Sequence, residues 1–534
     1  DLPATSGGLA AAAGTQAASP NVLTTPAQWP EADFIIGNPP FLGCRRFRDA
    51  GLSDEYIFAL HAAYDLPRTS DLCCYWFEQA RRVIEKRPAV RVGLLATQGI
   101  RGVDNREVLA RIQQQGDIFA AWSDRPWVLD GADVRVSIIA FSGTTSEEHA
   151  LDGKPVGRIN ADLTSELDLS SCPILNENRH IAFMGDTKGG AFDIPWTEAR
   201  RLLAQPNPTD KSNTDVVRPW INGGDVTRRP RGMFIVDFGA DTSMALACQC
   251  EAPFKTVEER VRPERSKNRR ESYARRWWLH VEPRPAFRQA VAALPRFMVT
   301  PRVAKHRLFL WYSRETLPDS RLFAFARSDD YFLGVLHSAV HELWSLRTCA
   351  WHGVGNDPTY NATTCFETFP LPWPQGKEPT DSPLHARIAE AARMLNEQRE
   401  RWLNPPEWLD EVAAAVDRED NFHDMPEVSR GLIRQSAIMA RAAQHPELKR
   451  RTLTALYNER PTWLRLAHQE LDRAVLAAYA ATDPEGGWSE DWADVWLDTG
   501  AGQPPPKGHT LTARRAEVEA RVIENLLRVN GSGR

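Results

Sequence analysis

With 534 residues, 25% of them charged and 42% hydrophobic, the chain is too long for one core and ordinary in composition for a folded protein, so roughly two to four domains are expected and a fibrous or wholly disordered polypeptide is excluded. The net charge is −5, no apolar run reaches the ~18 residues of a membrane span, and the eight cysteines (Cys44, Cys73, Cys74, Cys172, Cys248, Cys250, Cys349, Cys365) show no repeated C-x-x-C spacing. They read as reduced thiols of a cytoplasmic protein without zinc or another metal. The chain opens at Asp1, not methionine, and an Ala/Gly/Ser/Thr-rich stretch without a basic n-region makes residues 1–30 a linker, so the opening reads as cut from something longer.

The next stretch, Ala32-Asp33-Phe34-Ile35-Ile36-Gly37-Asn38-Pro39-Pro40-Phe41, asks for a particular chemistry. Phe34 to Ile36 predict a short buried parallel strand that Gly37 ends. Pro39 and Pro40 fix φ at about −65° and carry no N–H, so Asn38 is held extended at the strand's carboxyl end, facing the crevice where open α/β sheets bind ligands. The Asn38 side-chain oxygen and the Pro39 carbonyl can both accept from one exocyclic NH2, while Phe41 stacks on the ring that bears it. This arrangement suits methyl transfer to an amine. Two acceptors draw a delocalised nitrogen towards sp3 and free its lone pair for in-line attack on a sulfonium methyl, with no general base of tuned pKa.

Beyond this claw, Arg45, Arg46 and Arg48 read equally as a phosphate clamp and as a solvated basic loop. Ser53 is expected to cap a helix to Tyr64, and a second helix from about Ser70 to Lys86 carries an apolar face that includes Trp76. Val90 to Thr97 predicts a buried strand, Asp104 to Gln115 a third helix, and Ile118 to Ser123 a strand paired with Val134 to Ile138 across an Asp130-Gly131 turn.

On these residues the segment from Asp33 to Phe141 resembles motifs IV to VIII of the gamma-class DNA adenine-N6 methyltransferases, and within them the fused branch that includes type IIL restriction-modification and DISARM-type phage-defence enzymes. The carriers are Ile36 to Gly43, containing the Asn-Pro-Pro-Phe of motif IV, then Asp71 to Ala80, Gly93 to Gly102 and Trp127 to Ala132; Phe366 to Pro370 and Ala455 to Leu464 extend the likeness over nearly the whole chain. The resemblance implies S-adenosylmethionine as cofactor, with Trp76 against its adenine and Trp127 near a flipped target base. Trp76 reads equally as core of its helix, and Trp127 as a pin for the hairpin. A Gly-rich turn after a first strand and an acid binding the ribose hydroxyls, which such a site needs, do not occur in Asp1 to Asp33. The resemblance therefore implies the C-terminal portion of such an enzyme.

From about residue 155 to 370, short β-like runs alternate with Gly/Pro turns. Within them Lys255 to Leu310 holds 15 Lys+Arg against 5 Asp+Glu, a balance of +10 in a chain of −5. The cluster Arg260, Arg262, Arg265, Lys267, Arg269, Arg270, Arg275 and Arg276 runs into Trp277-Trp278, which reads as phosphate contact beside an apolar wall or as a solvated basic helix. The loop Trp351 to Pro358, with His352, Asn356, Asp357 and the nearby Tyr360, reads as structural rather than hydrolytic or metal-binding. After Phe369 to Pro374, helices are predicted over roughly 384–402, 407–416, 426–443, 447–457, 463–481 and 514–529.

The expected organisation is an α/β chain: a linker (1–30), the C-terminal half of a Rossmann-like methyltransferase domain (31–150), a mixed α+β target-recognition domain (151–375) and a helical C-terminal bundle (376–534). By resemblance its function is S-adenosylmethionine-dependent N6-adenine methylation of specific double-stranded DNA sequences, in restriction-modification or phage defence, in the prokaryotic cytoplasm at the nucleoid. The implied partners are DNA and an N-terminal half or companion defence subunits. Two other readings stay open: a non-catalytic DNA-binding specificity subunit, and an RNA or protein-glutamine N-methyltransferase, since the same claw serves a side-chain amide.

Overall fold

The structure, a computed structural model, describes residues 28–129, 132–165, 169, 172–352, 357–420, 422, 423, 425, 427–498, 500–502 and 512–531. The expected linker up to residue 27, the Asp130-Gly131 turn and residues 353–356 of the expected structural loop lie outside the described residues. The chain divides into two units, Asp1–Ser171 and Cys172–Arg534.

In the first unit, β1 (Phe34–Gly37) pairs in parallel with β2 (Arg91–Thr97). Parallel pairing needs a long crossover, and α1 (Asp54–Ala63) and α2 (Leu72–Lys86) supply it. The Ser53 hydroxyl accepts from the Tyr56 N–H and so caps α1, as predicted. After α3 (Val103–Gln115), β3 (Asp117–Leu129) folds back on β4 (Ala132–Ser142), followed by the short β5 (His149–Leu151) and β6 (Lys154–Val156). The sheet order is β1-β2-β4-β3-β5-β6, with β4 antiparallel to both neighbours, giving a mixed α/β unit. Val92, Leu94 and Ala96 alternate inward from β2 onto Phe77, Ala80 and Ile84 of α2 and Val108, Leu109 and Ile112 of α3, forming one apolar core.

The expectation of a buried claw strand fails on one face. Phe34 is 66% and Ile36 84% exposed, because β1 is an edge strand and only Ile35, on its other face, packs against the core. β2, by contrast, is interior and paired on both sides.

The second unit holds two four-stranded sheets. The strands of these two sheets are β7 (Ala182–Met184), β8 (Asp193–Pro195), β9 (Val217–Ile221), β10 (Met233–Val236), β11 (Arg296–Pro301), β12 (Leu310–Ser313), β13 (Leu317–Pro318) and β14 (Leu322–Phe325). They assemble as β13-β9-β10-β8 and β12-β11-β14-β7. Helices Pro383–Leu403, Pro406–Glu419, Glu427–Ala442, Leu453–Glu459, Thr462–Thr482 and Ala513–Gly531 follow. The fourth of these starts later than predicted, because the Thr452 hydroxyl accepts from the Ala455 N–H and sets the cap there. Among the described residues no helix is long and apolar enough to cross a membrane.

Candidate active site and nucleic-acid interface

Asn38 leaves β1 at its carboxyl end and is exposed; Pro39 is buried, Pro40 exposed and Phe41 half-buried. The segment after the claw is latched to the start of α2. The Cys44 N–H donates to Asp71 Oδ1 at 3.1 Å, and the Leu72 N–H donates to the Leu42 carbonyl at 2.9 Å. Asp71 is itself held by Asn105: its N–H donates to Asn105 Oδ1 at 2.8 Å, and its Oδ2 accepts from Asn105 Nδ2 at 2.8 Å. Asn105 Nδ2 also donates to the Gly99 carbonyl at 3.1 Å. The loops after β1 and β2 are thus tied together by one Asp–Asn pair, which rigidifies the claw's surroundings. Sequence reasoning missed both residues. The available signal was an Asp in the N-cap position of α2, but its carboxylate makes no cap bond there and reaches the claw loop instead.

Register places Trp127 near the same end of the sheet. β1 ends opposite Leu94 of β2, whereas β4 continues past Thr97 (paired with Val136) to Val134, which pairs with Trp127 of β3. Trp127 therefore projects beyond the carboxyl end of β2, 38% exposed. Trp76 lies on α2 and packs, half-buried, against the unit's apolar core. Arg45 lines a cleft of about 240 Å³ with Arg48, Phe58, His61 and Arg68, and Arg46 is exposed. Burial and the neighbouring Arg68 charge hold the His61 imidazole below its usual range, so the cleft's positive charge comes from arginines.

In the second unit Lys267, Arg269, Arg270 and Arg275 are exposed. Arg262 is exposed but pairs with Glu258 at 2.5 Å, and Arg276 pairs with Asp241 at 2.8 Å. Two expectations need correction here. Arg265 is only 3% exposed and donates to the Leu279 carbonyl; burial pushes its guanidinium down from the usual range, so it braces the fold and does not face a ligand. Trp277 and Trp278 are core residues and not an apolar wall for a ligand: Trp277 packs on Phe254 with ring centroids 5.3 Å apart, and the Trp278 indole N–H donates to the Thr242 carbonyl at 2.9 Å. Tyr360 is buried, its hydroxyl 3.1 Å from His341 Nε2. Among the described residues no cluster of three or more His, Cys, Asp or Glu is placed to hold a metal.

No known family profile matches the chain, and no curated protein is similar to it in sequence. Solved structures do match. A type IIL restriction-modification enzyme, MmeI, determined in complex with DNA, is similar with a TM-score of 0.58 and 17% identity, over 93% of this chain and 57% of that one. The chain shares its fold with MmeI. It spans little more than half of that protein's length. The type IIG restriction endonuclease BpuSI aligns over 79% of this chain and 54% of its own, with a TM-score of 0.23 and 9% identity.

Proposed function

We propose that this chain is the amine-binding and DNA-recognising portion of an S-adenosylmethionine-dependent DNA adenine-N6 methyltransferase of restriction-modification or phage defence, its first unit forming part of a Rossmann-like domain. The observation that carries the reading is Asn-Pro-Pro-Phe at the carboxyl end of a parallel strand, braced by Asp71 and Asn105, in a fold shared with MmeI. An adenine extruded from duplex DNA would place its exocyclic NH2 between Asn38 Oδ1 and the Pro39 carbonyl, with Phe41 stacked on the ring and Trp127 at its flank. The cofactor would supply the electrophilic methyl. Of its expected contacts only Trp76 lies among the described residues. Residues 28–33, upstream of β1, contain no strand and no Gly-rich turn, so the described residues do not make the cofactor site by themselves and no geometry is derived for it. Arg45 and Arg46 would hold a phosphate beside the extruded base; Lys267, Arg269, Arg270 and Arg275, with Arg262 and Arg276 once their acidic partners are displaced, would hold phosphates in the recognition part.

Tritium transfer from labelled S-adenosylmethionine to duplex DNA tests the reading, using the chain alone and the chain supplemented with a Gly-rich strand-turn-helix segment. The supplemented chain is expected to transfer methyl, and Asn38→Ala to lower turnover roughly 100- to 1,000-fold while leaving DNA affinity within about threefold, since it removes an acceptor needed mainly in the transition state. DNA binding without transfer under both conditions would identify a specificity subunit instead.

A further inference from the structure

A cavity of about 590 Å³ in the second unit has no part in that reading. It is lined by Lys305, His306, Arg460, Arg465, His468 and Asp472, among others. Arg460 closes the helix Leu453–Glu459 in a left-handed backbone conformation, φ 45° and ψ 62°, where glycine is the ordinary residue. Its guanidinium makes no hydrogen bond or ion pair among the described residues, and its Nε is buried without a partner. The left-handed backbone opposes folding, and such strain persists at positions that serve a ligand; the half-buried guanidinium is free to meet one.

Several other groups in the cavity are engaged. Arg465 pairs with Asp498 at 2.7 Å, and Lys305 Nζ and His306 Nε2 converge on Asn458 Oδ1 at 2.6 and 2.9 Å. Asp472, at the buried end, accepts the Ala339 N–H at 2.7 Å. Burial pushes its carboxyl up to about 8, so it adds little negative charge near neutral pH. Glu342 and Glu459 are the remaining wall carboxylates.

We propose that this cavity is a phosphate site anchored by Arg460 with Lys305 as the second cation. A guanidinium fork matches phosphate oxygens bidentately, and the volume leaves room for the attached sugar. The phosphate comes either from the DNA backbone or from a free nucleotide. Neither source depends on methyl transfer, so failure of the methyltransferase reading leaves this site standing.

The test compares wild type with Arg460→Gly, which removes the guanidinium and relieves the left-handed backbone, and with Arg460→Lys. At constant ionic strength, inorganic phosphate is expected to raise the melting temperature of wild type but not of Arg460→Gly, whose own melting temperature is unchanged or higher; Arg460→Lys should respond partially. If the occupant is a backbone phosphodiester, the slope of log Kd against log salt on duplex DNA becomes shallower by about 0.9 in Arg460→Gly. If it is a nucleotide, that slope is unchanged and adenosine monophosphate shifts melting more than inorganic phosphate does. Identical phosphate response, nucleotide response and DNA salt slope in wild type and Arg460→Gly would overturn the proposal.

Discussion

β1 and β11 are both short apolar strands, and they are used in opposite ways. β11 lies between β12 and β14, and its Phe297, Met298 and Val299 are wholly buried; β1 has a single partner and leaves Phe34 and Ile36 open. The same contrast holds for charge. The second unit buries one closely paired ionic cluster: Arg288 bridges Asp186 at 2.7 Å and Asp237 at 2.5 Å, while His280 sets Nδ1 2.8 Å from Asp186 and Nε2 3.0 Å from the Val236 carbonyl. Burial alone would push Asp237 up, but the Arg288, His280 and Arg218 charges hold it down at about 2. Among the described residues β1 stands at one edge of the first unit's sheet and β6 at the other.

The largest test of that contrast separates exposed from buried cations in one segment. Changing Lys267, Arg269, Arg270 and Arg275 together to Ala is expected to weaken DNA binding roughly a hundredfold at low salt and to flatten its salt dependence by up to about 0.9 log units for each phosphate no longer neutralised. Arg265→Ala should leave the slope alone and destabilise the second unit by about 1–3 kcal/mol, the penalty for unpairing a buried carbonyl. Equal slopes for the two variants would break the distinction.

Next in size is Asp71→Ala. Losing the bonds to Cys44 and Asn105 should cost the first unit about 1–3 kcal/mol in denaturant unfolding and reduce methyl transfer in the supplemented assay. Unchanged stability would mean that the latch is incidental.

A smaller effect concerns pH and the second unit. Asp472 has its folded pKa raised to about 8, against about 4 unfolded, so between those values the native state holds a proton that the unfolded chain has released. Its contribution to stability is therefore present at low pH, falls as pH rises from about 4 to about 8, and levels off above that. Asp472→Asn keeps an acceptor for the Ala339 N–H and should remove this slope, read as the difference in melting temperature between pH 5 and pH 8. The smallest change is Ile36→Thr, expected within about 0.5 kcal/mol of wild type but with less self-association by sedimentation, because it makes an exposed edge face polar.

Local order determined most of the elements. Ser53 before an acidic first turn marked α1, the proline pair marked the strand's end at Gly37, and helical spacing marked Pro383–Leu403 and Thr462–Thr482. These signals are legible because caps, proline geometry and periodicity act within a few residues. Burial and partnership were not legible. Asp71 and Asn105 are 34 residues apart, and nothing local says that Asp71 leaves its own helix to hold the claw loop. Arg265 sits among exposed arginines in the chain yet alone of that cluster turns to the core, and a run of apolar residues at β1 predicts a strand without saying how many neighbours it has. Edge position, satisfied charge and unpaired charge are properties of contacts between distant segments, so only the tertiary structure could decide them.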